Sequence, residues 1–162
     1  MDSSVSGCKI RNMRIIALLS AAAALSTAVA AEKKVKMEDL PAAVRQSAQE
    51  QLKAPNTVLG GISAETEKGK TFYELETKVS GRSRDLLLDS AGKVVEIEEE
   101  VDLAKIPAPA RAAIQKKAGK ASITMVESLT KSAGVEAFEA HIKKGARDVE
   151  YAVTPEGKPY KD

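Results

Sequence analysis

The sequence predicts an α+β protein built from two tandem units, each one helix packed on a three- or four-stranded antiparallel sheet. Three patterns occur twice in the same order: a helix that opens with proline, a strand of alternating polarity and a turn that ends in Gly-Lys. The helices are separated by 66 residues (Leu40 to Ile106) and the later patterns by 65 (Tyr73 to Phe138). This shared order indicates one unit written twice.

The helix of each unit opens with Leu40-Pro41 and with Ile106-Pro107. Proline is well tolerated in the first turn, because the first N–H groups of a helix have no partner within it. Apolar residues then recur four apart, which gives each helix one narrow face that can lie on a sheet. The two matching stripes are Leu40, Val44, Ala48 and Leu52, and Ile106, Ala110, Ile114 and Ala118.

Strands follow each helix. Residues 72–77 and 137–142 alternate between polar and apolar side chains, the pattern of a half-buried strand. Gly81 and Gly145 lie where a hairpin turn is needed. The segments 58–64 and 123–129 predict an earlier strand in each unit.

The last repeated pattern is a turn, at residues 89–93 and 154–158. In both turns a glycine, Gly92 or Gly157, precedes lysine and can adopt a positive φ. Val95 and Ile97 continue a strand after the first turn, whereas the second unit has room only for a short last strand. We therefore expect a flexible segment at 31–37, one unit at 38–102 and a second at 103–162.

Residues 1–30 have the pattern of a secretory signal peptide. Arg11 and Arg14 precede an uncharged apolar run at 15–25, and the segment closes on Ala-Val-Ala. The expected cleavage lies between Ala30 and Ala31, with the next bond as the alternative, and Met13 is an alternative start. We therefore expect a periplasmic or secreted protein without a stable membrane anchor after cleavage.

The charge balance of the predicted mature chain excludes some function classes. The whole chain has 25 Lys and Arg against 23 Asp and Glu. Residues 1–30 hold three of those cations and one of those anions, which leaves 22 of each sign. A neutral chain does not predict nucleic-acid binding, which needs a clustered basic excess. The single cysteine, Cys8, lies in the same segment, so thiol chemistry is not expected either.

The sequence predicts no catalytic residue, metal ligand or cofactor. His141 is the only histidine, and it lies on the outward phase of a strand without a cysteine or second histidine nearby. We therefore expect it to face solvent. No arrangement typical of nucleophilic catalysis occurs, so the expectation is a protein that is not an enzyme.

Two groups of charged residues are candidates for binding. The acidic run Glu96–Glu100 is interpreted as a solvated strand protected by charge from edge pairing, with cation binding as the alternative. Arg82, Arg84 and Arg147 lie near hairpin turns, where side chains project from a rigid sheet and can reach a partner. They are the predicted partner-binding residues.

The residues of the first unit resemble those of a known family. The Leu40-Pro41 helix, the strand at 73–76 and the segment from 86 through Gly92 to Glu96 are similar to PepSY-like, β-lactamase-inhibitor-like periplasmic proteins. The resemblance covers 38–101 well and 104–160 more weakly. It implies a non-catalytic role in which the protein binds and restrains a peptidase or another secreted enzyme.

Two functions follow as hypotheses. The first is an extracytoplasmic binding module that restrains a peptidase or another envelope enzyme through protein–protein contact. The second is a periplasmic sensor of a small ligand or a cation, which would use the acidic strand or a groove between the units.

Overall fold

A computed structural model describes residues 33–161, which form one eight-stranded antiparallel sheet with two helices on one of its faces. Each strand pairs with the next along the chain, so the order in the sheet is the order in the sequence. The strands are β1 (Lys33–Lys34), β2 (Thr57–Glu67), β3 (Lys70–Val79), β4 (Arg82–Asp89), β5 (Val94–Glu100), β6 (Ser122–Lys131), β7 (Gly134–Lys144) and β8 (Arg147–Val153). The helices are α1 (Ala42–Gln51) and α2 (Ala108–Ala118), and a short 3₁₀ helix (Met37–Asp39) precedes α1.

The two helices begin where the sequence predicts. Pro41 and Pro107 are their N-terminal caps. Each proline carbonyl accepts a hydrogen bond from the backbone N–H of the arginine four residues later. The apolar stripes lie on the sheet, with Val44, Ala48 and Ile114 fully buried, but the predicted member Leu52 follows the end of α1, is only partly buried and lies outside the core. Gly119 ends α2 with a φ of 60°, a conformation that glycine adopts without strain.

The apolar core consists of two clusters, one beneath each helix. The first joins α1 to β2, β3 and β4 through Val44, Ile62, Leu75 and Leu86. The second lies beneath α2, and its buried members on the sheet come from β6, β7 and β8. They are Val126, Phe138, Ala140, Ile142 and Val153.

The strands form one continuous sheet, which differs from the separate sheet expected for each unit. The connection is the antiparallel pairing of β5 with β6, which places Glu98 opposite Leu129 and Glu100 opposite Glu127. The segment with α2 carries the chain from one of these strands to the other. An open sheet edge exposes unpaired N–H and C=O groups, so this pairing satisfies the outer edges of both strands.

The start of the described chain is hydrogen-bonded to the sheet. Lys33 and Lys34 pair with Ala64 and Ser63 of β2, and the Val35 N–H donates to the Ile62 carbonyl at 3.0 Å. This short strand lies within residues 31–37, for which the sequence predicted a flexible chain. The predicted signal peptide and its cleavage position at Ala30 and Ala31 lie outside the described residues.

Two turns make matching contacts with the two helices. A Cβ atom added to Gly92 would lie 2.5 Å from the Ala43 carbonyl oxygen, and one added to Gly157 would lie 2.5 Å from that of Pro109. Their φ values are 80° and 79°. Each glycine N–H donates to the carbonyl three residues earlier, at 2.9 Å and 2.8 Å. Each turn therefore requires glycine for two reasons: the positive φ and the close approach of the helix.

Candidate functional site

The face of the sheet opposite the helices carries most of the ionisable side chains of the central strands. Successive side chains of a strand alternate between faces, and directly paired residues share a face. Because Leu75 and Leu86 pack beneath α1, their neighbours Glu76 and Asp85, which pair with each other, point away from the helices. We call this side the acidic face. Its carboxylates on β3 to β8 are Glu74, Glu76, Asp85, Asp89, Glu96, Glu98, Glu100, Glu127, Glu139, Asp148 and Glu150.

The centre of the acidic face is closely packed. Glu127 has no exposed surface, and Asp85, Glu96 and Glu139 are 6 to 7% exposed. Asp85 accepts a hydrogen bond from the Thr77 N–H at 3.1 Å, and Glu96 pairs with Lys131 at 3.3 Å. A buried carboxylate is costly unless it has such partners. The acidic run of β5 therefore belongs to the middle of a continuous sheet and is not a free edge strand.

One group on this face is made of carboxylates alone. Asp85, Glu98 and Glu127 lie on three neighbouring strands, and one oxygen of each lies within 4.8 Å of the others. All three take part in further polar interactions. Oxygen donors are those that hard cations such as Ca²⁺ prefer.

His141 lies beside this group, on β7. Its side chain is 19% exposed, and its Nε2 atom lies 2.8 Å from an oxygen of Glu127. Its Nδ1 atom lies 3.7 Å from an oxygen of Glu150, the residue directly opposite on β8. The outward phase predicted for His141 is confirmed by its place on the helix-free face, but the side chain contacts carboxylates on two strands instead of facing solvent.

The helix side of the second half has the opposite charge. Helix α2 carries Arg111, Lys116 and Lys117 and has no carboxylate. Lysines 117 and 144 also approach each other there, because the Lys144 side chain donates to the Lys117 carbonyl. Residues 103–162 contain 11 Lys and Arg against 7 Asp and Glu, so this half is basic by count.

The three predicted partner-binding arginines lie at two distant places. Arg82 and Arg84 begin β4 on the helix side and are ion-paired: Arg82 with Asp102 at 3.1 Å and Arg84 with Glu99 at 3.0 Å. Arg147 begins β8 and is exposed. The structure thus brings Arg82 and Arg84 together and leaves Arg147 apart, so their role in binding stays a prediction.

Two open clefts of about 240 and 350 Å³ flank Arg82 where the two halves of the chain meet. Val101 and Glu100 line both of them. Asp102 lines the smaller cleft, and hydrogen bonds from Lys105 and then Arg82 lower the pKa of its carboxyl group below the usual 3.8. Both clefts are thus lined by ion-paired side chains, and the groove between units remains a prediction.

The grouping of Glu127, Glu139, Glu150 and His141 is not predicted by the sequence. The signal was present in part, since Glu139 and His141 are two apart on one alternating strand and so share a face. Their cross-strand neighbours depend on the register of β6 and β8, which a bulge between Ile123 and Met125 shifts. Periodicity alone does not predict such a shift.

Neither helix among residues 33–161 is long and apolar enough to cross a membrane. No protein-family profile matches the sequence, and no curated protein matches it.

Solved structures do match this fold. A Bacteroides eggerthii protein described as periplasmic is 13% identical, with a TM-score of 0.57 over 75% of this chain and 86% of its own. A DUF2874 family protein of Bacteroides ovatus is also 13% identical, with a TM-score of 0.53 over 75% of this chain and 85% of its own. A BLIP-like protein of Bacteroides fragilis is 15% identical, with a TM-score of 0.49 over 75% of this chain and 84% of its own.

At these identities the likeness concerns the fold alone. The first two proteins are described by compartment or by family, and neither description names an enzyme. The chain is therefore an α+β protein with the fold found in periplasmic and DUF2874 family proteins of Bacteroides.

Proposed function

We propose that this protein is a non-catalytic extracytoplasmic binding module that docks on a partner protein through its acidic face. The observation that carries the proposal is the concentration of carboxylates on the helix-free side of one continuous sheet. The partner is a secreted or envelope protein with a basic docking surface. The resemblance to PepSY-like, β-lactamase-inhibitor-like proteins favours a peptidase or another enzyme whose activity is restrained by the contact.

Charge complementarity supports a basic partner. Lysine and arginine side chains of the partner would pair with the half-buried carboxylates Glu74, Glu76 and Glu98, which surround the packed centre of the face. Such pairing mainly increases the rate of association and the discrimination between partners. The basic surface of α2 would be repelled by the same partner, which fixes the orientation of docking.

A doubled unit is part of the proposal, with residues 38–102 and 103–162 as its two copies. The matching contacts of Gly92 and Gly157 support it, because each glycine approaches the first turn of its own helix. A second pair of contacts agrees: Arg45 donates to the Glu38 carbonyl and Arg111 to the Ala104 carbonyl, each seven residues earlier. In this interpretation the β5–β6 pairing joins the sheets of the two copies.

Export to the periplasm or the outside of the cell is also part of the proposal. The support is the signal-peptide pattern of residues 1–30 and the periplasmic description of a protein with the same fold. N-terminal sequencing of the protein secreted by its host checks cleavage between Ala30 and Ala31.

The docking surface is tested by charge reversal on the two faces. Glu76→Lys changes the acidic face beside Gly61, where the neighbouring strand has no side chain to crowd the longer lysine. Glu50→Lys makes the same change of charge on α1, where the glutamate side chain is 66% exposed. The immobilised protein captures partners from a periplasmic extract, and each captured protein is purified and titrated against the three chains.

We expect Glu76→Lys to weaken binding at least ~10-fold and Glu50→Lys to change it less than ~2-fold. Because exposed charges are screened by salt, binding should also weaken between about 0.05 and 0.5 M NaCl. If the captured partner is an enzyme, its activity should fall on saturation with the wild-type protein. Equal affinities for both variants would rule out the acidic face as the docking surface, and no partner at micromolar affinity would contradict the binding function.

A further inference from the structure

We propose that Glu139, His141 and Glu150 form a binding site for Zn²⁺ or another borderline divalent metal ion, with Glu127 orienting the imidazole. The site is independent of the docking function, since it needs no partner protein. It lies on the acidic face at β6, β7 and β8.

The strand register places the three ligand residues together. Glu139 and His141 are two residues apart on β7 and therefore share a face, and Glu150 is directly opposite His141 on β8. One possible ligand atom of each residue lies within 4.8 Å of the other two. Three donor atoms that lie up to 4.8 Å apart must each move about 1 Å toward a common centre to reach zinc–ligand distances of about 2.0 to 2.2 Å. Rotation of the side chains is sufficient for a movement of this size.

The two nitrogens of His141 have different surroundings. The 2.8 Å separation between Nε2 and Glu127 is that of a hydrogen bond. The 3.7 Å separation between Nδ1 and Glu150 is too long for one. It is close to the ~3.4 Å that separates two donors on a tetrahedral zinc ion, given Zn–N and Zn–O distances of about 2.0 to 2.2 Å.

Glu127 gives the imidazole the tautomer that a metal at Nδ1 requires. When Nε2–H donates to Glu127, the lone pair of a neutral ring lies on Nδ1, which faces Glu150. Glu127 has no exposed surface, so its carboxylate holds the ring in one orientation. Metal-binding histidines almost always have such a partner on the second nitrogen, and it increases their basicity as ligands.

The donor set determines the class of metal. One imidazole with two carboxylates suits Zn²⁺ and similar first-row ions, whereas the all-carboxylate group of Asp85, Glu98 and Glu127 would favour a hard ion. Three protein ligands leave a fourth tetrahedral position for water or for a group from a partner.

The test is a calorimetric titration of the metal-free full-length protein with ZnCl₂, together with its melting temperature and the visible absorption of the Co²⁺ form. We expect one Zn²⁺ per chain, a melting temperature that rises with Zn²⁺ because the ion binds only the folded state, and a tetrahedral Co²⁺ spectrum. His141→Gln and Glu150→Gln should each weaken Zn²⁺ binding at least ~10-fold and remove that spectrum. Glu127→Gln should weaken binding ~10-fold, within the range expected for an outer partner.

Asp148→Asn is the matched control, because Asp148 lies two residues from Glu150 on the same face but pairs with Lys143 at 2.9 Å. It should change the Zn²⁺ affinity less than ~2-fold. Circular dichroism of each variant establishes that the sheet is retained before binding is compared. The proposal is overturned if His141→Gln binds Zn²⁺ as tightly as the wild type, or if no Zn²⁺ binds below ~100 μM. It is also overturned if Ca²⁺ competes equally and Glu98→Gln, but not Glu150→Gln, abolishes binding.

Discussion

Two glycines show how single residues determine where the helices lie. Gly92 and Gly157 both have positive φ values and both leave 2.5 Å between a hypothetical Cβ and a helix carbonyl. Gly69 has a similar φ of 79°, but an added Cβ would meet nothing within 4 Å. Alanine substitutions at these three positions therefore distinguish the free-energy cost of a positive φ from the free-energy cost of a steric clash with the helix.

We predict that Gly92→Ala and Gly157→Ala each lower the free energy of unfolding by about 3 kcal/mol, because alanine adds both strain and a steric clash. Gly69→Ala should cost only about 1 kcal/mol, the cost of the left-handed conformation alone. Urea denaturation monitored by circular dichroism measures all three. If Gly69→Ala cost as much as the other two, the close helix contact would not be the cause.

At the scale of secondary structure, the helices are held by buried side chains and not by intrinsic helix propensity. Short helices are marginal in water unless an apolar face packs on another element. Ile114 lies in the middle of α2 with no exposed surface, whereas the adjacent Gln115 is exposed.

We predict that Ile114→Ala lowers the free energy of unfolding by about 3 kcal/mol, since it removes buried methyl groups and leaves a cavity. The adjacent Gln115→Ala should stay within about 0.5 kcal/mol of the wild type, because it changes only the surface. Chemical denaturation of both variants provides the comparison. A loss below about 1 kcal/mol for Ile114→Ala would mean that α2 is not anchored by this cluster.

The sequence predicts this level of structure well where periodicity is strong. The proline-opened helices and the alternating strands at 72–77 and 137–142 lie in α1, α2, β3 and β7. The strands predicted at 58–64 and 123–129 correspond to β2 and β6, although both are longer than expected. The pairing of β5 with β6 could not be predicted, because nothing in the local pattern of either strand identifies its neighbour across 20 or more residues.

For the whole molecule, the shared β5–β6 pairing makes the two apolar clusters neighbours within one sheet. Each cluster lies beneath its own helix, but backbone hydrogen bonds continue from one half to the other. Unfolding one half would expose the edge strand of the other half to water. We therefore expect the halves to unfold together.

We predict one cooperative unfolding transition in urea, whose midpoint falls in both Val44→Ala and Ile114→Ala. Val44 belongs to the first cluster and Ile114 to the second, so both variants should shift the same transition. In thermal unfolding, the transition followed by circular dichroism should coincide with the transition measured by calorimetry. Two steps, each moved by only one of the variants, would show that the halves are independent domains.

The candidate site was predictable only in part, because its composition is visible in the sequence and its assembly is not. The acidic run at Glu96–Glu100 is visible in the sequence, but its interpretation as a solvated edge strand is wrong, because β5 pairs with β4 and β6 in the middle of the sheet. The surroundings of His141 come from strands that precede and follow β7. Their register depends on bulges and turns that hydrophobic patterning does not determine.

The chain-order arrangement of the eight strands has a consequence for how the protein folds. Every strand pairs with the strand made immediately before it, and two of these pairings must close a long loop: β1–β2, whose loop contains α1, and β5–β6, whose loop contains α2. Proteins rich in contacts between nearby residues fold faster than those with distant pairings. The sheet can therefore grow in chain order as the polypeptide is synthesised, with closure of the α1 and α2 loops as its slowest steps.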